Sequence, residues 1–225
     1  MELIQIGHIE NDYTNKFGTP RQSGIVNDTV SCIVLEGKYA VEDAVRGLSD
    51  YDYIWVIWGF SLNHDKPFSA TVKPPRLGGK TRMGVFATRS PYRPNQIGLS
   101  SVKIDHIDVD ENSHARIYIK GADMVNGTPV FDIKPYLAYS DAHPDARSGF
   151  ADNIDLSEIT LDFPQELLER IPEKKRPGAT QLLIQDPRPG YEKHLEREYR
   201  LAYGGYDIVF IASKNNIKVI DVIKL

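Results

Sequence analysis

Short runs of alternating apolar and polar residues dominate the first two-thirds of the chain. A period of two is typical of half-buried strands, and each run is bounded by Gly, Pro, Asn or Asp. The runs predicted as strands are LIQIGHI, TVSCIVL, YDYIWVIWGF, GVFAT, SVKIDHIDV, HARIYIKGA and VFDIKPYLAY. Strands alternating regularly with crossover helices are missing, which argues against a doubly wound parallel sheet. The pattern favours a largely antiparallel barrel or sandwich, with one helix predicted at VEDAVRGLSDY.

The last third of the chain has a different character. A polar, Asp-rich segment around residues 140–160 lacks apolar periodicity and is predicted to be a loop or linker. After it, FPQELLERIP and GATQLLIQDPRPGY are predicted as short helices. The final run, YDIVFIASKNNIKVIDVIKL, alternates on both sides of Lys214-Asn215-Asn216, whose asparagines tolerate positive φ, and predicts a β-hairpin. We therefore expect a small α+β unit after a larger β domain.

Composition narrows the class of protein. With 225 residues and 41% hydrophobic content, the chain has the size of one to two globular domains. The single cysteine, Cys32, lies in an apolar run and fits a small buried residue in a reducing compartment. The first residues show no signal-peptide pattern, and no apolar run approaches the ~20 residues of a membrane span. We expect a cytoplasmic protein without a membrane partner.

Charge is unevenly distributed along the chain. Eight basic residues and no acidic residue lie from Lys66 to Lys103, so 19 of the 27 basic residues and all 31 acidic residues lie elsewhere. Solubility alone favours mixed signs, so this segment predicts an anion site, for a phosphate or carboxylate or for a nucleic-acid backbone. The six histidines lack the close spacing of a metal site, and we predict none.

Three loops hold more Pro, Arg, Asn and Asp than a turn requires. They are FGTPRQ at residues 17–22, MGVFATRSPYRPNQIGLSSVKI at 83–104 and GADMVNGTPVFDIKPY at 121–136. Pro and Gly alone account for tight turns. Arginines inside such turns point further, because their planar fork of donors suits carboxylates, phosphates and base edges.

These motifs carry a resemblance to a known family. PRQ, TVKPPRLGGKTRMGVFATRSPYRPNQIGLS and GADMVNGTPVFDIKPY together resemble the TrmO (TsaA-like or YaeB-like) family, and QDPRP resembles its bacterial members. The resemblance implies a single β-barrel. Together with the sequence pattern, it leads us to expect a mainly β chain with a single-sheet antiparallel β-barrel at residues 1–145 and a small α+β domain at residues 146–225. It also implies a homodimeric methyltransferase that uses S-adenosylmethionine. The implied substrate is N6-threonylcarbamoyladenosine next to the anticodon of tRNA, methylated on N6.

The family's motifs assign residues to the methyl donor position by position. The assigned residues are Pro20, Arg21, Gln22, Ser61, Leu62, Arg89, Leu99, Asp123, Met124, Val125 and Asn126. Ser61 and Leu62 stand where the family often has a His-Gln pair, so only backbone contacts carry over there. Asn126 replaces a frequent Asp, and Gln96 replaces a Pro; neither removes the pattern.

The motifs say less about the residues that contact the methyl acceptor. The urea-like acceptor nitrogen is a weak nucleophile and must lose a proton, for which Asp132 and Tyr136 are candidate polar groups, with a structural role in the turn as the alternative. The candidates for binding the tRNA anticodon loop and the threonyl carboxylate are Arg76, Lys80, Arg82 and Arg93. Two other functions stay open: a methyltransferase of this fold with another RNA or small-molecule acceptor, and a non-catalytic RNA- or anion-binding barrel.

Overall fold

The structure, a computed structural model, describes residues 2–63, 67–77, 81–153, 159–188, 192 and 196–225. The strands within these residues are β1 (Gly7–Glu10), β2 (Val30–Leu35), β3 (Tyr53–Gly59), β4 (Thr71–Val72), β5 (Met83–Gly84), β6 (Ile97–Val109), β7 (Ala115–Lys120), β8 (Pro129–Pro135), β9 (Thr160–Asp162), β10 (Arg197–Tyr203), β11 (Tyr206–Ser213) and β12 (Asn216–Lys224). The α-helices are α1 (Glu42–Val45), α2 (Ala138–Asp141), α3 (Gln165–Leu168) and α4 (Arg176–Ile184). Short 3-10 turns lie at Gly37–Tyr39, Leu48–Asp50, Ser61–Asn63, Pro75–Leu77, Val85–Ala87, Gly149–Asn153 and Glu173–Lys175.

Six strands close into one antiparallel barrel, in the order β1-β2-β7-β6-β3-β8. The barrel closes where β1 pairs with β8, at Gly7 opposite Val130. Alternation fills its interior: in β7, Ala115, Ile117 and Ile119 are buried while the residues between them are more exposed. The prediction of a mainly β chain with a single-sheet antiparallel barrel is therefore confirmed.

The second unit is a four-stranded sheet in the order β10-β11-β12-β9, in which β9 runs parallel to β12. Its own hydrophobic cluster includes Leu183 of α4, Leu201 and Phe210. The predicted hairpin is present, since Ser213 pairs with Asn216 across the turn. The residue with positive φ in that turn is Lys214, at 50°, rather than an asparagine. This unit is the expected α+β part of the chain.

The long loop between β1 and β2 connects the two units. Tyr13 and Val26 belong to the hydrophobic cluster of the second unit, and Phe17 stacks on Tyr199 with ring centroids 6.2 Å apart. A Cβ on Gly18 would lie 2.8 Å from the carbonyl oxygen of Ala202, so only glycine allows this close approach. The PRQ motif thus lies in a loop packed against the C-terminal sheet. A domain boundary between residues 145 and 146 stays a prediction.

Several predicted elements are shorter than their sequence patterns suggested, and two show why. Helix α1 covers only Glu42–Val45, because Gly47 adopts a left-handed conformation at φ 79° and a 3-10 turn follows. Of the GVFAT segment, only Gly84 lies in a strand: Met83–Gly84 pairs with Thr71–Val72. The segment then continues as the 3-10 turn Val85–Ala87. The local patterns identified the segments but not where each one ends.

Candidate active site

A cavity of about 580 Å³ opens at one end of the barrel. Neighbouring strands are antiparallel, so the ends of β1, β3 and β7 meet the starts of β2, β6 and β8 at this end. The loops that carry the three unusual motifs therefore converge there, although they lie far apart in the sequence.

All but one of the residues assigned to the methyl donor line this cavity: Pro20, Arg21, Gln22, Ser61, Leu62, Arg89, Leu99, Asp123, Met124 and Val125. Asn126 is the exception. Its N–H donates to the Tyr13 carbonyl oxygen at 2.8 Å, and its Oδ1 accepts from the Asn11 N–H at 3.0 Å. Its side chain therefore holds the start of the β1–β2 loop instead of facing the cavity.

A hydrogen-bonded chain of side chains leads to the carboxylate of Asp123. Trp58 Nε1 donates to Ser100 Oγ at 2.9 Å, and Ser100 Oγ donates to Asp123 Oδ1 at 2.5 Å. Burial raises the pKa of Asp123, while the hydrogen bond from Ser100 and the positive charge of Arg89 oppose that rise. The cavity thus holds a fixed acidic group suited to a cationic part of a ligand. The motifs did not identify Trp58 or Ser100, since their positions under Asp123 depend on strand register.

Glycine is required where Trp58 lies against β6. Trp58 pairs with Gly98 across the sheet, and a Cβ on Gly98 would lie 2.2 Å from the indole Cε2. The indole is also packed on Phe60, with ring centroids 4.4 Å apart. Gly98 therefore allows Trp58 to lie where its Nε1 reaches Ser100.

The two arginines assigned to the donor have different partners. Arg89 Nη1 donates to Gln22 Oε1, a contact on the cavity wall. Arg21 Nη2 instead donates to the carbonyl oxygens of Asp186, at 3.1 Å, and of Arg188. Arg21 therefore links the cavity wall to the C-terminal unit, whereas Arg89 lies beside Asp123.

The segment where the family often has a His-Gln pair is fixed by a lysine. Lys16 Nζ donates to the Leu62 carbonyl oxygen at 2.8 Å and to Asn63 Oδ1. Both Lys16 and Asn63 line the cavity, and neither was identified from the sequence. Their partnership orders the Ser61–Asn63 turn through backbone and amide contacts.

The structure does not bring the two candidate proton acceptors to this cavity. Asp132 Oδ1 accepts from the Ile133 N–H at 2.9 Å, and its Oδ2 lies 2.9 Å from Lys134 Nζ. Tyr136 packs on Trp55, with centroids 5.7 Å apart, and Trp55 in turn lines the cavity. Their described contacts are therefore structural.

A second, wider cavity of about 1260 Å³ adjoins the first. The two share the wall residues Arg21, Gln22, Thr88, Arg89 and Pro91. The other basic and aromatic residues that line the second cavity are Lys73, Arg82, Phe86, Tyr92 and Phe150. Within the described residues its lining contains no Asp or Glu, so it is a positively charged, partly aromatic groove.

The four arginines and lysines assigned to tRNA are placed differently. Arg82 lines the second cavity, where its Nη1 donates to Thr71 Oγ1 at 2.7 Å. Arg93 donates to the Thr88 carbonyl oxygen at 2.7 Å and braces the loop that separates the two cavities. The side chain of Arg76 and all of Lys80 lie outside the described residues.

Two family profiles match the chain: the tRNA-methyltransferase O N-terminal domain at residues 8–142 and the TrmO C-terminal domain at residues 158–225. The chain belongs to the TrmO family. The Escherichia coli (strain K12) protein named tRNA (adenine(37)-N6)-methyltransferase is 40% identical over 198 residues, 85% of this chain and 84% of its own length. A Pseudomonas aeruginosa protein, a putative S-adenosylmethionine-dependent methyltransferase called RcsF, is 36% identical over 195 residues, 84% of this chain and 82% of its own.

Solved TrmO structures agree with the fold. A crystal structure of TrmO from Pseudomonas aeruginosa aligns with a TM-score of 0.79 at 29% identity, covering 100% of this chain and 97% of that one. The family predicted from the motifs is thus confirmed. In the described part of this TrmO-family chain, no cluster of three or more His, Cys, Asp or Glu side chains is arranged to hold a metal ion. None of the described helices has the length and apolar character needed to span a membrane.

Proposed function

We propose that this protein methylates N6 of the threonylcarbamoylated adenosine at position 37 of tRNA, with S-adenosylmethionine as the donor. The observation that carries the proposal is the convergence of PRQ, ATRS and DMVNGTP in a single cavity beside a basic, aromatic groove. The barrel topology brings these loops to one end of the barrel but does not account for their concentration of Pro, Arg, Asn and Asp. Binding of one ligand by all three loops would account for it.

The residues in the first cavity fit the chemical parts of S-adenosylmethionine. Its volume of about 580 Å³ lies in the range of small-molecule sites. The Asp123 carboxylate suits the sulfonium or amino group, whereas Arg89 and Gln22 suit the carboxylate. Leu99, which is 56% exposed, offers apolar surface for the rest of the donor. When bound, S-adenosylmethionine supplies an electrophilic methyl group.

The protein's own contribution is alignment and exclusion of water. Methyl transfer is an in-line displacement, so rate depends on holding donor and acceptor in one geometry. The Trp58-Ser100-Asp123 chain fixes the carboxylate, and Lys16 fixes the Ser61–Asn63 turn. Both contacts order the cavity before a ligand arrives. We assign no general base.

The second cavity is the proposed place for the anticodon loop. Lys73 and Arg82 would contact phosphates or the threonyl carboxylate, and Phe86, Tyr92 and Phe150 would stack on splayed bases. Because the Gln22-Arg89 contact belongs to both cavities, an acceptor nucleoside in the second lies beside a donor in the first. This arrangement needs no duplex base flipping.

We further propose that the protein is a homodimer and acts in the cytoplasm, with a domain boundary between residues 145 and 146. The Leu62 side chain is 51% exposed at the cavity wall, an apolar surface that a second subunit would cover. Cytoplasmic location follows from the tRNA substrate. Light scattering at working concentration tests the assembly, and a strict monomer would contradict it.

The proposal is tested with purified protein, S-adenosylmethionine carrying an isotope-labelled methyl group, and tRNA with or without the threonylcarbamoyl group. Mass spectrometry of the digested nucleosides then locates the label. The proposal expects label only on threonylcarbamoyladenosine. Donor binding without label on intact modified tRNA would point to another acceptor, and the absence of donor binding would overturn the proposal as a whole.

A further inference from the structure

A buried ion pair in the C-terminal unit lies in a turn that contacts Arg21, a residue of the proposed donor cavity. The Arg188 side chain is fully buried, and its Nε donates to Asp186 Oδ1 at 2.7 Å while its Nη2 lies 3.2 Å from Asp186 Oδ2. Nη2 also donates to the Lys214 carbonyl oxygen at 2.6 Å, in the β11–β12 turn. The pair thus ties the Asp186–Arg188 turn, which follows α4, to the hairpin of the sheet.

The backbone of this same turn accepts hydrogen bonds from the PRQ loop. Arg21 Nη2 donates to the carbonyl oxygens of Asp186, at 3.1 Å, and of Arg188. Both carbonyls belong to residues of the ion pair, so the pair determines where these two acceptors lie. Asp186 itself is held at a positive φ of 49°, a conformation that its short polar side chain tolerates better than most.

The neighbour of Arg21 in the sequence belongs to the cavity wall. Gln22 Oε1 accepts from Arg89, and Arg89 contributes to the electrostatic environment of Asp123. A continuous set of contacts therefore runs from the Asp186-Arg188 pair through Arg21 and Gln22 to the acidic group of the donor cavity. A shift of the Asp186–Arg188 turn would therefore displace Arg21, in the middle of the PRQ motif.

Other contacts fix the two sides of the same loop to the C-terminal unit. On one side, Phe17 stacks on Tyr199. On the other, Gln181 Oε1 of α4 accepts from the N–H groups of Asn27, at 2.9 Å, and Asp28, at 3.2 Å. Arg21 lies between these anchors and is the contact nearest the cavity. The PRQ loop is therefore anchored to the second unit on both sides of Arg21, in addition to its contacts with the barrel.

Stability alone does not explain the ion pair. Buried ion pairs are often no more stabilising than apolar residues of similar volume, because both charges lose their hydration. Among the described residues Arg188 Nη1 also has no hydrogen-bond partner, which adds a desolvation cost. A pair kept at such a cost fits a role in specifying the geometry of the turn.

We propose that Asp186 and Arg188 are positioning residues for the methyl donor: they hold the turn whose carbonyl oxygens orient Arg21, and thereby set the Gln22-Arg89 side of the donor cavity. The inference rests on the proposed function, because it takes the first cavity as the donor site. It means that the C-terminal unit helps to form the donor site and does not serve only as an appendage of the barrel.

The test measures S-adenosylmethionine affinity by calorimetry on the full chain. The double variant Asp186→Asn with Arg188→Met removes both charges together and leaves no buried charge unpaired. We expect its donor dissociation constant to rise about tenfold, because residues in one contact network typically interact with an energy of that size. Arg21→Ala should give a similar loss, and adding it to the double variant should cause little further change. Full additivity of the two effects would overturn the inference.

A control separates positioning from loss of stability. Val219→Ala removes buried side-chain volume from the same C-terminal core, in β12, and should lower the thermal midpoint while leaving donor affinity near the wild-type value. If the Asp186/Arg188 variant folds and binds the donor as tightly as the wild type, the inference is wrong. If the wild type itself binds no donor, the proposed function fails first, so the two failures are distinguishable.

Discussion

Ser100 Oγ donates a hydrogen bond to Asp123 Oδ1 at 2.5 Å, although the two residues come from different parts of the barrel. Ser100 lies in β6, Asp123 follows β7, and Trp58 of β3 completes the chain by donating to Ser100. Three segments of the barrel thus fix one carboxylate at the cavity. A partly buried, oriented acid suits a site that binds a cationic donor.

Asp123→Asn should weaken donor binding about tenfold or more, because it removes the negative charge opposite the donor's cationic groups. Since burial raises the pKa of Asp123, wild-type affinity should fall as the pH drops through that raised pKa, and the variant should lack this dependence. Calorimetry across pH checks both effects. Asp132→Asn is the matched control, because that acid lies outside the cavity and should leave affinity unchanged.

The same variant has an opposite expected effect on stability. The folded protein holds the Asp123 proton more tightly than the unfolded chain does, so protonation adds stability as the pH falls toward the unfolded pKa. Above the raised pKa the buried carboxylate lowers the free energy of unfolding. Asp123→Asn should therefore be at least as stable as wild type at neutral pH in urea unfolding. A less stable variant that binds the donor normally would contradict both expectations.

Gly98→Ala should destabilise the barrel by about 1–3 kcal/mol, since its Cβ would overlap the Trp58 indole at 2.2 Å and force the ring away from Ser100. Urea unfolding measures the loss, and Trp fluorescence reports the displaced indole. Gly84→Ala serves as the control because a Cβ there meets nothing within 4 Å. Equal stability of the two variants would show that Gly98 is not required for packing.

Arg89→Ala should reduce donor affinity by about 1.5–3 kcal/mol, the usual value of a hydrogen bond to a charged group. The loss should appear in the donor dissociation constant measured by calorimetry, with the fold intact by circular dichroism. Arg46→Ala is a suitable control, because the Arg46 side chain is 77% exposed and pairs only locally with Asp43. Unchanged affinity in Arg89→Ala would remove this arginine from the donor site.

Lys73→Gln and Arg82→Gln test the second cavity. Each should weaken tRNA binding and reduce the slope of log affinity against log salt by about one. Donor affinity should stay unchanged, since both residues line the second cavity and not the first. Lys38→Gln is the control, because Lys38 lies in the turn that follows β2, at the end of the barrel opposite the two cavities. If the salt-dependence slope falls in Lys38→Gln but not in Lys73→Gln or Arg82→Gln, tRNA does not bind in the second cavity.

The sequence identified the loops of the site better than the contacts within it. Motif residues such as Gln22 and Arg89 lie in turns whose unusual composition is visible in the sequence, and the structure places them in the cavity wall. That they bind the donor stays a prediction. Trp58 and Ser100 were missed, since their meeting depends on pairing between β3 and β6, and a one-residue slip reverses every side chain.

In the C-terminal unit, too, local patterns indicate strands but not the contacts between distant residues. Strand β10 carries a usable signal, the alternation of buried Tyr199, Leu201 and Tyr203 with more exposed residues, which the strand prediction did not include. The contact of Arg21 with the Asp186 and Arg188 carbonyls joins positions about 165 residues apart, and no local pattern encodes it. Local chemistry predicted the components, whereas long-range packing determined how they combine.

We propose that this protein methylates the adenosine at position 37 of tRNA only after threonylcarbamoylation. The most direct measurement incubates the protein and labelled S-adenosylmethionine with three otherwise identical tRNAs, which carry threonylcarbamoyladenosine, adenosine or guanosine at that position. Ribonuclease fragments are then weighed by mass spectrometry. Label confined to the anticodon-loop fragment of the first tRNA is the predicted result. Equal label on all three, or label in another fragment, would contradict the account.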